Sequence, residues 1–397
     1  MAEKTTSAES SQTLPRQRHT GVPLKRTKSD DTDFDDYFQK VGINQLLLTV
    51  LGFVVGLALS FRSSTAYERY NEGRKYWAQL AFVSQHLARL IWVHAEERHT
   101  KDPVVGKKDL LGKISCLNMI VAFAMALKHK LRFEPYAHYE DLQHIVGHLD
   151  TYAKAADQPT PPRKQNIFKT AGQFLGLPFA ESNPRKLLKK SNVPLGNLPL
   201  EILTHLSAYM KSIYDNETLK VSVYQTQSLA ALQTMNDVLS GTDRILSTPL
   251  PIAYTIAISQ ITWVYILLLP FQLFKSLGWV TIPASVFAAY IILGIALIGR
   301  EIENPFGSDV NDLPLDAFCG QIRADIDLIM SKPAPTVDEF LMNDANEMLY
   351  PLSNLGGRAL AEQSVEEIRE KLAQKPRVHY KHTESEEGEM VRNSDNV

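Results

Sequence analysis

The chain has 397 residues, with 42 Lys and Arg against 44 Asp and Glu and a formal charge of -2. That balance speaks against a nucleic-acid-binding protein, which carries a basic surplus. Two cysteines, Cys116 and Cys319, exclude a disulfide scaffold and a Cys-rich zinc module. The mean hydropathy of -0.16 averages over a very uneven chain.

Residues 1–40 are polar and rich in Ser, Thr and Asp, with no apolar stretch of the signal-peptide kind. They read as a disordered N-terminal segment. Three runs free of Asp, Glu, Lys and Arg then stand out: Val41–Phe61 (21 residues), Ile245–Phe274 (30 residues) and Ser276–Gly299 (24 residues). At about 1.5 Å rise per residue, about 20 residues cross a hydrocarbon core of about 30 Å. The chain is therefore expected to be an all-α membrane protein with spans at about 41–61, 252–274 and 279–299. A fourth run, Ile114–Leu127, has 14 residues and reads as a buried helix of a soluble part.

Flanking cations set the orientation. Arg62, Arg69, Arg74 and Lys75 follow the first run, and Arg244 and Arg300 bound the open ends of the second and third, so these ends are expected to be cytoplasmic. The later two runs make a hairpin through a short Lys275-containing link. No proline occurs between Pro23 and Pro103, which allows one helix from about Asn44 to about His99. Helical patterning continues over Leu110–Ala155 and Leu200–Leu246. The proline-rich stretch 158–199 between them is an expected insertion loop. Residues 336–374 read as a helical extension and 375–397 as a disordered acidic tail.

Within the first run, Phe53, Leu57 and Phe61 are spaced by four and share a helix face. Gly52, Gly56 and Ser60 follow the same spacing one step away, and small residues let helices approach closely. On pattern alone the stripe fits ordinary packing as well as a hydrophobic constriction that gates by dewetting. His144 and His148 sit one turn apart without an evident third zinc ligand. Asn216-Glu217-Thr218 is a glycosylation sequon in a segment expected to be cytosolic. There is no G-x-S-x-G, P-loop or dinucleotide fingerprint, so no enzyme is expected.

The segment FRSSTAYERYNEGRKYW (Phe61–Trp77) mixes charges with Tyr67, Tyr70, Tyr76 and Trp77, as a packed interface requires. It resembles the bestrophin family of ion channels, in particular the bacterial and fungal branch. Two further stretches agree: RILSTPLPIAY (Arg244–Tyr254) and EIENPFGSDVNDLPLD (Glu301–Asp316). The resemblance covers about residues 41–335. It implies a channel subunit with transmembrane helices and a large cytosolic helical region, assembled as a homopentamer around one axial pore. It also implies a membrane neck at Phe53, Leu57 and Phe61, with Arg62 setting the potential just below. A cytosolic constriction is implied near Val193–Ile202. The family has four spans and a cytoplasmic N-terminus, whereas three apolar runs place the N-terminus here outside.

In animal members the AsnProPheGly stretch belongs to a calcium clasp. The matching positions are Glu301, Asn304, Asp309 and Asp312. Ser308, Val310 and Asn311 stand where animal members are acidic, and Asp309 and Asp312 also suit a helix-capping role. The function implied is a chloride or small-anion channel in a lipid bilayer. A cation-passing relative and a non-conducting scaffold or regulatory subunit are the alternatives.

Overall fold

The computed structural model describes residues 45–99, 102–134, 137–155 and 196–374. The expected N-terminal segment, most of the 158–199 loop and the acidic tail lie outside these residues. Among them every regular element is helical. They fall into two compact units, one holding residues up to Thr65 together with Leu250–Arg300, the other holding Ala66 onwards and the residues from Glu301.

Helix α1 (Gln45–His94) has 50 residues, which is about 75 Å of continuous helix. Its buried positions include Leu48, Val55, Leu59, Arg62, Ala66, Trp77, Leu80, Leu87 and Ile91. They recur at intervals built from three and four, the spacing that keeps one face against a neighbour. The absence of proline lets this face run unbroken.

In the first unit, α1 contributes Val55 and Leu59 to a small core shared with Ile258, with Tyr265, Ile292 and Ala296 packed on it. Its other walls are α7 (Ile252–Leu277) and α8 (Thr281–Glu301). A one-turn 3-10 helix (Gly278–Val280) joins them, and Gly278 sits at φ 52, where a side chain would be strained. The link is therefore at Gly278–Val280, and Lys275 belongs to the last turn of α7. The small-residue stripe splits in two. A Cβ on Gly52 would lie 3.0 Å from the Tyr265 hydroxyl, while Gly56 has open space.

Three stretches are long and apolar enough to cross a membrane: Leu46–His94, Pro103–Leu131 and Ile252–Glu301. Burial separates them. The most apolar window of Pro103–Leu131 is 67% buried, whereas that of Ile252–Glu301, with mean hydropathy 2.2, is only 6% buried. Water does not tolerate an apolar surface of that extent, so the hairpin requires a lipid surround.

The second unit is built around α2 (Pro103–Leu131). Every residue from Met119 to His129 is buried, because helices pack on it from several sides: α3 (Glu140–Val146), α5 (Leu198–Asp215), α6 (Ser222–Ser247) and α9 (Leu315–Met330). A helix surrounded in this way has no need of a polar stripe. The short run Ile114–Leu127 thus belongs to a longer helix than its apolar length suggested, inside the core as expected. A four-residue α4 (Tyr152–Ala155) follows α3.

Helix α5 begins at Leu198, with Pro199 in its first turn, where a missing N–H costs nothing. The expected loop therefore ends slightly sooner than position 199. The patterning over Leu200–Leu246 is broken by a turn. There the Asn216 side-chain oxygen accepts from the Thr218 N–H (3.0 Å) and hydroxyl (2.7 Å). Residues 336–374 hold only three short helices, α10 (Val337–Leu341), α11 (Gly357–Ala361) and α12 (Val365–Ala373). A Ser364/Glu367 capping box starts the last.

Candidate functional site

The three expected neck residues lie on the face of α1 opposite its packed stripe. Phe53 is 71% exposed, Leu57 45% and Phe61 58%. Leu46, Leu47, Val50 and Val54 of the same stretch are exposed as well, and an apolar surface of that extent is a contact surface. Arg62 does not share this face. One residue further turns the helix by about 100°, and Arg62 lies buried at 5% exposure, beside α8, where its Cγ stands 3.7 Å from where a Gly299 Cβ would be. Among the described residues of this unit the only charges are Arg62, Lys275 and Arg300, with no carboxylate. Its potential is accordingly positive, which favours anions.

Most of the Phe61–Trp77 segment serves the second unit. Arg69 spreads its guanidinium over three backbone carbonyls: Glu303 (3.2 Å from Nε), Ile245 (2.8 Å from Nη2) and Thr248. Two of these close the C-terminus of α6, where unpaired carbonyls and the helix dipole favour a cation. Gly73 leaves room for Phe306, whose ring carbon would lie 3.0 Å from an added Cβ. Arg74 covers the Phe318 ring at 4.5 Å and Trp77 packs on the same ring at 5.9 Å. Tyr76 lies so close to Gly241 that a Cβ there would overlap its ring. Arg244 pairs with Glu72 and reaches the Tyr76 hydroxyl at 3.4 Å. Of the aromatic residues expected to pack, Trp77 is fully buried and Tyr70 and Tyr76 lie on the core, whereas Tyr67 is 61% exposed. Arg69 and Phe306 were not anticipated as anchors. The signal available was their place inside two motifs that the chain keeps far apart in sequence.

The Glu301–Asp316 motif folds as a turn pinned by packing. Phe306 and Leu315 are fully buried and Leu313 nearly so, and the Leu313 N–H closes the loop on the Pro305 carbonyl at 2.9 Å. Asp312 accepts from the Asp309 N–H at 2.7 Å, a bond within the turn; the helix that follows has Pro314 at its N-cap and no side-chain cap, so neither aspartate caps it. Glu301 accepts from the Asn311 amide at 2.8 Å. Burial, with Asp309 and Glu301 adding to it, raises the Asp312 pKa against the pull of that N–H and Arg132. Glu301, Asn304, Asp309 and Asp312 thus share a turn. However, no three His, Cys, Asp or Glu side chains come together as a metal cluster among the described residues. Calcium takes roughly six to eight oxygens, backbone and amide carbonyls among them, so these side chains alone would supply only part of a shell. His144 is likewise occupied, facing Arg323 at 3.3 Å and the Glu140 carbonyl at 3.1 Å. For the cytosolic constriction, Ile202 is fully buried and Leu200 is 46% exposed, while Val193 lies outside the described residues.

Deeper in the second unit, Lys128 is 6% exposed and binds Asp141 (2.5 Å) and Asp316 (2.8 Å). Arg132 adds a second bond to Asp316 at 2.9 Å, and His129 bridges Asp141 (2.9 Å) and Glu134 (2.7 Å). Burial opposes ionisation of Asp141 and Asp316, yet the hydrogen bonds from Lys128 and its neighbours hold both pKa values below the ordinary carboxylate range. The same bonds outweigh burial at Lys128 and raise its pKa.

A chain whose described residues form only helices, with an apolar, unburied hairpin, is a multi-pass membrane protein. Its residues 31–327 match the family described as Bacterial/Fungal Bestrophin protein, and the chain belongs to that family. It is 37% identical over 298 residues, 74% of this chain and 81% of the relative, to a voltage-dependent anion channel-forming protein of Nostoc. A protein of the same description from Synechocystis is 36% identical over 72% of this chain and 77% of its own. Among solved structures, a mutant bacterial bestrophin homologue from Klebsiella pneumoniae superposes with TM-score 0.55 at 22% identity, covering 76% of this chain and 93% of that one. The last likeness concerns the fold.

Proposed function

We propose that this chain is the subunit of an anion channel, chloride being its simplest substrate, and that copies of α1 ring an axis with Phe53, Leu57 and Phe61 inward. The observation that carries this reading is that Phe53, Leu57 and Phe61 stay 71%, 45% and 58% open in the single chain, away from the buried Val55, Leu59 and Arg62 of the same helix. The homopentamer that the family resemblance implies gives those faces a common axis. Such an apolar ring excludes a continuous water column and passes an ion only when wetted. Phenyl edges carry partial positive charge and face a passing anion favourably. Positive charge, without carboxylates among the described residues of the same unit, repels cations from the approach. Nothing in this reading runs through calcium.

The test is a planar bilayer holding purified protein under a potassium chloride gradient. Reversal near the chloride equilibrium potential is expected, and reversal near the potassium potential would place the chain with cation-passing channels. Phe53→Ala and Phe61→Ala should each change conductance or selectivity severalfold. Wild-type currents from both variants would sink the neck assignment, and no current from a well-formed oligomer would leave a scaffold.

A further inference from the structure

We infer that His129 is a proton-operated latch of the second unit: while its ring holds two protons it fastens α2 to α3, and when one proton leaves, the fastening loosens. Its Nδ1 lies 2.7 Å from a Glu134 carboxylate oxygen, and its Nε2 lies 2.9 Å from one of Asp141. An ionised carboxylate only accepts, so both ring nitrogens donate, and only the imidazolium has two N–H groups. The ring stands in the last turn of α2, where the helix dipole favours a positive charge. The Tyr139 ring stacks on it at 4.2 Å, nearly parallel at 7°. An aromatic face so placed attracts a cation.

Charge counting leads to the same protonation state. The bonded network around the ring holds the cations Lys128 and Arg132 and the carboxylates Asp141, Asp316 and Glu134. The proton on His129 closes that balance. Without it the carboxylates are in excess around a ring only 7% exposed, and one ring lone pair is turned on a carboxylate oxygen, an arrangement with no compensating bond. The remaining charged or titratable groups nearby are engaged elsewhere. Asp243 of α6 faces Lys130 at 3.7 Å, and His144 of α3 faces Arg323 at 3.3 Å. His138 stacks on Tyr139 at 4.8 Å, and Asp312 bonds within its own turn. Among the described residues α5 places no side chain in hydrogen-bond or ion-pair contact with the ring. Histidine ordinarily changes charge between about pH 5 and pH 8. The two bonds are therefore both present on the acid side of that change, and one is lost as pH rises through it.

Hydrogen exchange of the purified full chain in detergent, corrected for the intrinsic pH dependence of exchange, tests the latch. Between about pH 6 and pH 9, spanning the ordinary histidine range, protection of the Leu142–Val146 amides should fall about tenfold or more, as expected for loss of one hydrogen bond between charged groups. His129→Gln cannot take up the proton, so the step should vanish in that variant. Glu134→Gln removes one negative charge and should move the step to lower pH by about one unit or more. Protection that stays flat across the range in wild type, or a step of undiminished size in His129→Gln, overturns the latch. Should His129→Gln fail to fold, Glu134→Gln decides: a displaced step supports the latch, and a step at the wild-type pH overturns it. None of these readings uses current, so the latch stands or falls apart from the channel.

Discussion

The two units use one helix in opposite ways. Up to Thr65, α1 buries one face on the hairpin and leaves Phe53 and Phe61 bare. From Ala66 it sinks Trp77, Leu80, Leu87 and Ile91 into a core shared with α2 and α9. The buried spacing is the same in both parts, so periodicity does not tell them apart. What differs is the other face and the charge around it. The first unit has cations without carboxylates among its described residues, whereas the second interleaves both signs down to the buried Lys128. The lesson is that apolar content marks a membrane segment only when the chain itself leaves it uncovered: α2 and the hairpin are similarly hydrophobic, but one is 67% and the other 6% buried.

The largest expected effect falls on the second unit. Phe306→Ala empties a fully buried site against Gly73 and should cost about 3–5 kcal/mol, seen as a clear fall in the thermal midpoint of purified protein. A fall no larger than that of an exposed control such as Phe340→Ala would mean the motif is not an anchor. Next, Arg69→Met leaves two partly buried carbonyls and one exposed carbonyl without their donor and should cost about 2–4 kcal/mol. Hydrogen exchange should then quicken at the end of α6 and around Glu303, and unchanged exchange there would break the assignment.

Acidification sharpens the contrast. Asp141 and Asp316 have depressed pKa values, so their contribution is complete above the unfolded carboxylate value of about 3.9 and drains away as pH falls through the folded values. Lys128, raised, works the other way, and its contribution is lost only as pH climbs above about 10.4. Melting followed between pH 6 and pH 3 should therefore weaken the second unit, and Asp141→Asn should flatten the profile. The smallest effect is Ser364→Ala, about 1 kcal/mol, confined to α12 and visible as faster exchange of the Glu367 amide.

Much of this architecture could be read from residues alone. The charge-free runs mark the hairpin because lipid contact forbids charge at every position, and the proline-free stretch marks α1. Phe53, Leu57 and Phe61 emerged from a spacing of four, and the structure leaves all three exposed. Arg62, expected to set the potential just below the neck, lies about 100° round the helix from Phe61 and is buried beside α8. The Glu301–Asp316 motif was read through its carboxylates, although its buried residues are Phe306, Leu313 and Leu315. Composition draws the eye to acidic groups, while the contact of Phe306 with Gly73 spans more than two hundred positions and leaves no local pattern. Arg69 was invisible for a similar reason, its partners being backbone carbonyls that any residue supplies.

The hairpin has a consequence for how the molecule is made. The core of the second unit draws on both sides of it: Gln85 bonds Asp325 at 2.7 Å, and the Trp92 indole bonds the Lys332 carbonyl at 2.9 Å. Those partners meet only if the ribosome's product crosses the bilayer and comes back. An odd number of crossings between positions 249 and 302 would strand α9 in the wrong compartment and leave α2 without one of its walls. Removing α8 alone is thus expected to be ruinous for a unit to which it does not belong, whereas removing both arms together would at least keep the two halves of that core on speaking terms.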